Sequence, residues 1–269
     1  MCERWGRLAE MSVVTFTTDF GVSDAYVGAM KGVVLSLAPR AVLVDITHDV
    51  APHDVRAGAL ALAAAAPYFP AGSIHVAVVD PGVGSARHAI AVEAAGCFLV
   101  GPDNGLLSLA AHGPRRVFRI DNPLFRREPS SPTFHGRDVF ASTAGQLAAG
   151  YDIEEAGAPL PAMTQLSMPA AGALGDGGDG EVLHVDHFGN LITSFAADPS
   201  AKIGGQWELR CQNRQFELRA GRTFSDVDRG GWVLYAGSSG QAEVAVREAS
   251  AASLTQAKAG TPIKLKRLS

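Results

Sequence analysis

VVTFTTDFGVSDAYVGAMKGVVLSL, Val13 to Leu37, runs a strand, a loop and a helix in succession. Val13 to Thr18 is short and rich in β-branched residues, as a strand requires. Ser23 or Asp24 stands where a helix cap belongs. Beyond it Val27, Met30, Val33, Val34 and Leu37 fall on one helical face. The pattern then repeats. Ala41 to Ile46 reads as a second strand. Asp54 to Ala66 reads as a second helix, stopped by Pro67 and Pro70, and Ile74 to Val79 as a third strand. This β-α-β-α-β order calls for a mainly parallel sheet with helices on its faces.

Further along, Ala89 to Val92 and Cys97 to Val100 read as a hairpin around Gly96. Leu106 to Ala111 reads as a short helix, Val117 to Ile120 as a strand and Arg137 to Ala149 as a helix. Residues 171–180 (AGALGDGGDG) have no hydrophobic period and read as an interdomain linker. After it come only short strands: Glu181 to Val185, Leu191 to Phe195, Trp207 to Cys211, Gln215 to Arg219, Trp232 to Tyr235, Ala242 to Arg247 and Ile263 to Lys266. Their spacing implies a small antiparallel barrel or sandwich. The expected class is α/β: an N-terminal α/β domain over residues 1–170, and a C-terminal β-barrel-like domain over 181–269.

Composition narrows the function. The 269 residues hold 47% hydrophobic and 19% charged side chains, enough to bury a core. A net charge of -4 and the lack of a basic stripe argue against nucleic acid. Cys2, Cys97 and Cys211 are isolated, which fits a reducing compartment. The apolar stretch around Ala57 to Ala66 is too short to span a bilayer, and MCERWGRLAE is too polar for a signal peptide. The expectation is a cytoplasmic protein, with Met11 an alternative start and the first ten residues an upstream extension.

Three strands finish on or near an aspartate: Asp19 in TTDFG, Asp45 in VDITHD and Asp80 in VVDPGVG. Ligands of open α/β sheets bind beyond the carboxyl ends of the strands, so three carboxylates there suit a cationic or polyhydroxyl ligand. One carboxylate alone would more simply cap a turn. The GVG after Asp80 lacks the GK[ST] ending of a phosphate loop, and no GxGxxG follows the first strand, which argues against a nucleotide triphosphate or dinucleotide cofactor. HExxH and GxSxG are absent too. His184 and His187 are three apart on a strand and face opposite sides, so no metal site is expected. PTFHGRDVF offers His135 as a base active near neutral pH, with Asp138 at a helix start. VDHFGNLITS breaks a strand with Phe188 and Asn190 at a turn, where a flat heterocycle could stack and hydrogen-bond.

TTDFG, VDITHDV, VVDPGVG followed by Arg87, GPDNGLL, PTFHGRD and DHFGN resemble, in this order, the motifs of the S-adenosyl-L-methionine (SAM) hydroxide adenosyltransferases, adenosine-forming SAM hydrolases related to fluorinases and chlorinases. The likeness runs from about Val13 to the C-terminus. It implies a catalytic triad of Asp80, Arg87 and His135. It also implies substrate contacts from Asp19 to the ribose, from Asp24 and Asp186 to the methionine end, from Asn190 to the adenine side, and from the neighbouring Phe134 and Phe188. SAM would be the substrate, with no metal or second cofactor. The assembly implied is a homotrimer with each SAM held between two subunits.

The halogenases, similar elsewhere, carry tyrosine in place of Asp80 and serine in place of Gly136. They also have an arginine where YAGSSGQ has Ser239. A carboxylate would repel a halide in a poorly solvated pocket, so the resemblance favours water as nucleophile. A halogenase and a non-catalytic SAM or adenosine sensor are the alternatives. The first would yield a 5′-halo-adenosine; the second would need none of the triad.

Overall fold

A computed structural model describes residues 11–169, 172–197 and 203–268. Cys2 and the proposed upstream extension lie outside them. The chain divides into two compact units, Met1–Leu166 and Ser167–Ser269.

The first unit is a three-layer α/β structure. Its strands are β1 (Val13–Thr18), β2 (Val42–Thr47), β3 (Ile74–Val78), β4 (Ala89–Ala94), β5 (Cys97–Pro102), β6 (Arg115–Arg119) and β7 (Pro159–Leu160). They lie in the order β2-β1-β3-β5-β4-β6-β7. The pairs β1–β2, β1–β3 and β3–β5 are parallel, and the remaining pairs are antiparallel. Both faces of β3 are buried, as a central parallel strand demands. Ile74, Val76 and Val78 join Val14, Phe16, Met30 and Val34 in one core. Ala77 and Val79 join Leu62, Ile90, Leu106 and Leu107 in a second core on the opposite face.

Helix α1 (Tyr26–Leu37) buries Val27, Met30, Val33 and Val34, the face that its spacing predicts. Its N-cap is Ala25, with no side-chain bond, so neither Ser23 nor Asp24 caps it. In α2 (Val55–Ala65) the Asp54 side chain does cap, accepting from the Ala57 N–H at 2.9 Å. Leu106 to Ala111 is a coiled turn and not the expected helix. Its leucines at 106 and 107 are fully buried against α2 and the sheet, so burial rather than helical pairing accounts for the apolar run. Arg137 to Ala149 divides: Gly136–Ala141 forms one wide π turn, followed by α3 (Ser142–Ala148).

The second unit closes on itself. Strands β9 (Gly177–Val185), β10 (Leu191–Ala196), β11 (Gln206–Cys211), β12 (Arg214–Ala220), β13 (Trp232–Ala236), β14 (Gln241–Val246) and β15 (Pro262–Arg267) form a ring in the order β14-β13-β12-β11-β15-β9-β10. Pairing of β14 with β10 completes it. The short β8 (Gly172–Ala173) attaches to β10. Of the stretch 171–180, then, residues 172–173 and 177–180 pair in strands. Backbone pairing needs no side-chain pattern, and glycine leaves none to read. Leu191, Trp207, Leu209, Val244 and Leu265 fill the interior.

One core group makes the fold pH-sensitive. His75 on β3 is wholly buried, with Nδ1 2.8 Å from Thr15 Oγ1. Burial lowers its pKa from 6.5 to about 4. On acidification the unfolded chain binds this proton first, near pH 6.5, and the native chain only near pH 4. Stability contributed by neutral His75 is therefore full above pH 6.5 and lost progressively down to about 4. The loss is roughly 3 kcal/mol at ~1.4 kcal/mol per unit. Urea unfolding across this range should show a shallower decline for His75→Gln than for the parent. Equal slopes would refute the assignment.

Candidate active site

Strands β1 and β3 are parallel neighbours with Thr18 opposite Val78. Asp19 and Asp80 therefore leave the same edge of the sheet. Asn104 holds the exit of β3, its Nδ2 donating to the Val79 carbonyl at 2.9 Å, while its Oδ1 accepts from the Leu106 N–H at 3.1 Å. The chain then turns through Pro81 to Ala86. Gly84 has φ +79°, and a Cβ there would lie 3.1 Å from the Pro132 carbonyl oxygen, so the turn needs glycine.

The turn returns Arg87 to Asp80. Arg87 Nε donates to Asp80 Oδ1 at 3.0 Å and Nη2 donates to Oδ2, a bidentate fork. The Asp80 side chain is 4% exposed and that of Arg87 11%. The guanidinium lies 5.3 Å from the centre of the Phe140 ring. Arg87 Nη2 also donates to His135 Nδ1 at 2.9 Å. A guanidinium can only donate, so Nδ1 is the acceptor and the neutral imidazole carries its proton on Nε2. Burial, and then the Arg87 charge, push the His135 pKa below its ordinary value; Asp80 opposes them. The three side chains thus form one chain of hydrogen bonds, Asp80–Arg87–His135.

His135 sits just before the π turn, a distortion common at functional sites. Asp138, expected at the helix start, is fully buried and reaches back across the loop. It accepts from the Ser131 N–H at 2.8 Å and from Arg137 at 2.7 and 2.8 Å. Burial raises its pKa, but the bonds from Arg137 and Ser131 outweigh that and leave it lowered. Asp138 therefore secures the segment that presents Phe134 and His135.

Asp19 Oδ2 accepts from the backbone N–H of His53 at 2.9 Å. Asp24 is exposed in the loop before α1. Phe134 packs edge-on against Tyr26 at 5.2 Å and Phe20 at 6.3 Å. Asp45 does not join Asp19 and Asp80. It lies within β2 and is taken up by Lys31 Nζ at 2.6 Å and His48 Nε2 at 3.0 Å. His48 in turn meets Thr18 Oγ1 at 2.8 Å. This network braces the turn that carries Asp19.

In the second unit Asp186, Phe188 and Asn190 line one cavity of about 760 Å³. Asp186 Oδ1 accepts from the N–H groups of Phe188 and Asn190, at 2.9 and 2.8 Å, and Oδ2 accepts from Asn190 Nδ2 at 2.8 Å. Gly189 has φ +84°, and a Cβ would collide with Ser250. The turn is thereby pressed against the start of α4 (Ala251–Thr255). Phe188 is 76% exposed, whereas Asn190 is buried.

Sequence reading assigned no role to Asn104, Phe140, Tyr235 or Glu243. Asn104 lay inside a quoted motif, GPDNGLL, and an amide beside glycines was the available signal. Tyr235 and Glu243 also line the cavity, and the Tyr235 hydroxyl donates to Glu243 Oε2 at 2.6 Å. Burial, reinforced by Glu243, raises the Tyr235 pKa. Among the described residues no cluster of three or more His, Cys, Asp or Glu could hold a metal ion, and no helix is long and apolar enough to cross a membrane.

A carboxylate locked by a guanidinium, with an imidazole on the same chain of bonds at a sheet rim, is equipment for polarising a small nucleophile. The molecule is an enzyme that combines an α/β unit with a closed β-barrel unit. Family models for the SAM hydroxide adenosyltransferase N-terminal and C-terminal domains match residues 14–157 and 180–264. The chain belongs to that family. It is 42% identical over 264 residues to the (R)-S-adenosyl-L-methionine hydrolase of Thermus thermophilus, covering 95% of this chain and 100% of that one. A fluorinase from an Actinoplanes species is 28% identical over 93% of this chain and 96% of its own. The crystal structure of an uncharacterized conserved protein from Thermotoga maritima superposes with a TM-score of 0.90 at 33% identity, covering 94% of this chain and all of that one.

Proposed function

We infer that this protein hydrolyses SAM to adenosine and L-methionine by attack of water at the ribose C5′. The observation that carries the reading is the bonded set Asp80–Arg87–His135. The sulfonium is already a good leaving group: when C5′–S breaks, its electron pair stays on sulfur and gives the neutral thioether of methionine. What the reaction lacks is a nucleophile, because water has a pKa of ~15.7. Arg87 occupies His135 Nδ1, and the neutral ring bears its proton on Nε2. Asp80 is then the acceptor for a water proton, and His135 Nε2–H orients the water oxygen. Alignment of water, C5′ and sulfur supplies much of the rate, since proximity is worth ~7–11 kcal/mol.

In this reading Asp19 holds the ribose, Asp24 the methionine end, Phe134 packs nearby, and Asn190 with Phe188 receives the adenine side. Asp186 belongs to the same cavity wall. No metal or second cofactor takes part. A Cβ at Gly136 would lie 3.2 Å from both Met30 Sδ and Phe20 Cε2, so this chain has little room for the serine of the halogenases. The lower identity to fluorinase supports the same preference. We further propose a homotrimer with the substrate between subunits; exposure of Val22 at 75% and Tyr26 at 49% supports it. The two units serve as separate domains. Free Cys97 and Cys211 support a cytoplasmic location.

Incubation of the purified protein with SAM in ¹⁸O-water should release adenosine and methionine in equal amounts, with the label in the 5′-hydroxyl. Adenosine no higher than in a protein-free blank would refute the reading. Added chloride giving 5′-chloro-adenosine would move it to the halogenases.

A further inference from the structure

We propose that Asp186 is a positioning residue that sets the hydrogen-bond polarity of the C-terminal cavity, so that the cavity selects a purine carrying a donor at its 6-position over one carrying an acceptor. The inference rests on reading this cavity as the holder of the nucleoside base. A carboxylate offers only acceptors. Asp186 spends Oδ1 on two backbone N–H groups and turns Oδ2 towards the Asn190 side chain, 2.8 Å from its Nδ2. A carboxamide can meet a carboxylate only through its nitrogen. If Asn190 turned over, two oxygens would face each other with no proton between them, at a high cost in a buried setting.

The orientation of Asn190 is therefore imposed. Nδ2 faces Asp186 and Oδ1 faces away. Both residues line the cavity and Asn190 is buried, so Oδ1 is the acceptor that this amide offers to a ligand. The 6-amino group of adenine donates to such an oxygen. The 6-oxo group of hypoxanthine, at the same place, would meet it oxygen to oxygen. A site built around one hydrogen bond strongly rejects the analogue that leaves its polar group unpaired.

An isosteric change inverts the polarity. In Asp186→Asn the two backbone N–H groups retain the carbonyl oxygen of the new amide, which aims its NH₂ at residue 190. Asn190 must then turn to accept, and its own Nδ2 faces the cavity. Titration calorimetry of the full chain with adenosine and with inosine reads this directly. The parent should favour adenosine by ~10-fold or more. In Asp186→Asn the ratio should collapse or invert. If that variant does not fold, Asn190→Ala removes the same oxygen and should abolish the preference. A role in holding the turn, or in contacting only the methionine end, would change both nucleosides alike. An unaltered ratio in the variants, or no preference in the parent, overturns the proposal. Nucleoside binding needs no turnover, so failure of the SAM hydrolysis assay would sink the enzymatic reading separately.

Discussion

Asp80→Ala should reduce the rate of SAM hydrolysis by ~10²–10⁴-fold, the usual contribution of a positioned base, while the protein still binds SAM. The expectation follows from the division of labour proposed above. In that reading Asp19 and the cavity around Asn190 make the substrate contacts, and Asp80 makes none. Its work is to accept a proton from water during attack. Asp80→Asn is the sharper companion. It keeps the shape and one carbonyl oxygen for Arg87, yet it cannot take up a proton. Single-turnover kinetics with calorimetric SAM binding separate the effects. Loss of kcat with affinity preserved marks an interaction made only in the transition state. Asp80→Asn turning over at the parent rate would remove Asp80 from the role of base.

Arg87→Met should be the most damaging of the triad changes to stability, at ~3–5 kcal/mol, because it leaves a buried carboxylate without its counter-ion. At 4% exposure Asp80 has little water to turn to. The same change frees His135 Nδ1, and turnover should fall with it. Arg87→Lys restores the charge but not the fork or the stacking on Phe140, so its rescue should be partial. The decisive comparison is the pair Asp80→Asn with Arg87→Met, which removes both charges and should recover much of the stability. Urea unfolding of the three proteins checks this. A loss below ~1 kcal/mol for Arg87→Met would mean that the pair behaves like a surface salt bridge.

The α/β unit was largely legible because its signals are local. In α1 the apolar spacing names the buried face, and β1 and β3 are unbroken runs of strand-forming residues. The barrel strands were legible one by one; their closure through β14 and β10 was not, because pairing between distant strands leaves no mark in either. Leu106 to Ala111 misled because an apolar run records burial, not backbone geometry. At the site, Asp80 and Arg87 are seven residues apart and joined by a glycine turn, so their pairing was open to inspection. His135 lies far along the chain: its motif offers a base, but its grouping with Asp80 and Arg87 comes only from the resemblance. Asp45 looked like the third carboxylate of the rim. Its capture by Lys31 and His48 depends on side chains from another helix and loop, which no spacing reveals.

The closed ring of the C-terminal unit has a consequence for how this molecule can change over evolutionary time. A sheet that ends must guard its ends, whereas the ring pairs each of its strands on both sides and leaves no edge to guard. Its stability is vested in the strands and the apolar interior. Two of the segments that touch the cavity, the turn at Asp186 to Asn190 and the loop carrying Ser238, are borne on that ring without holding it together, while Tyr235 and Glu243 line it from the strands themselves. Such loops can be rewritten, residue by residue, while the scaffold stays intact. A lineage with this architecture can retune the ligand it accepts without renegotiating its fold.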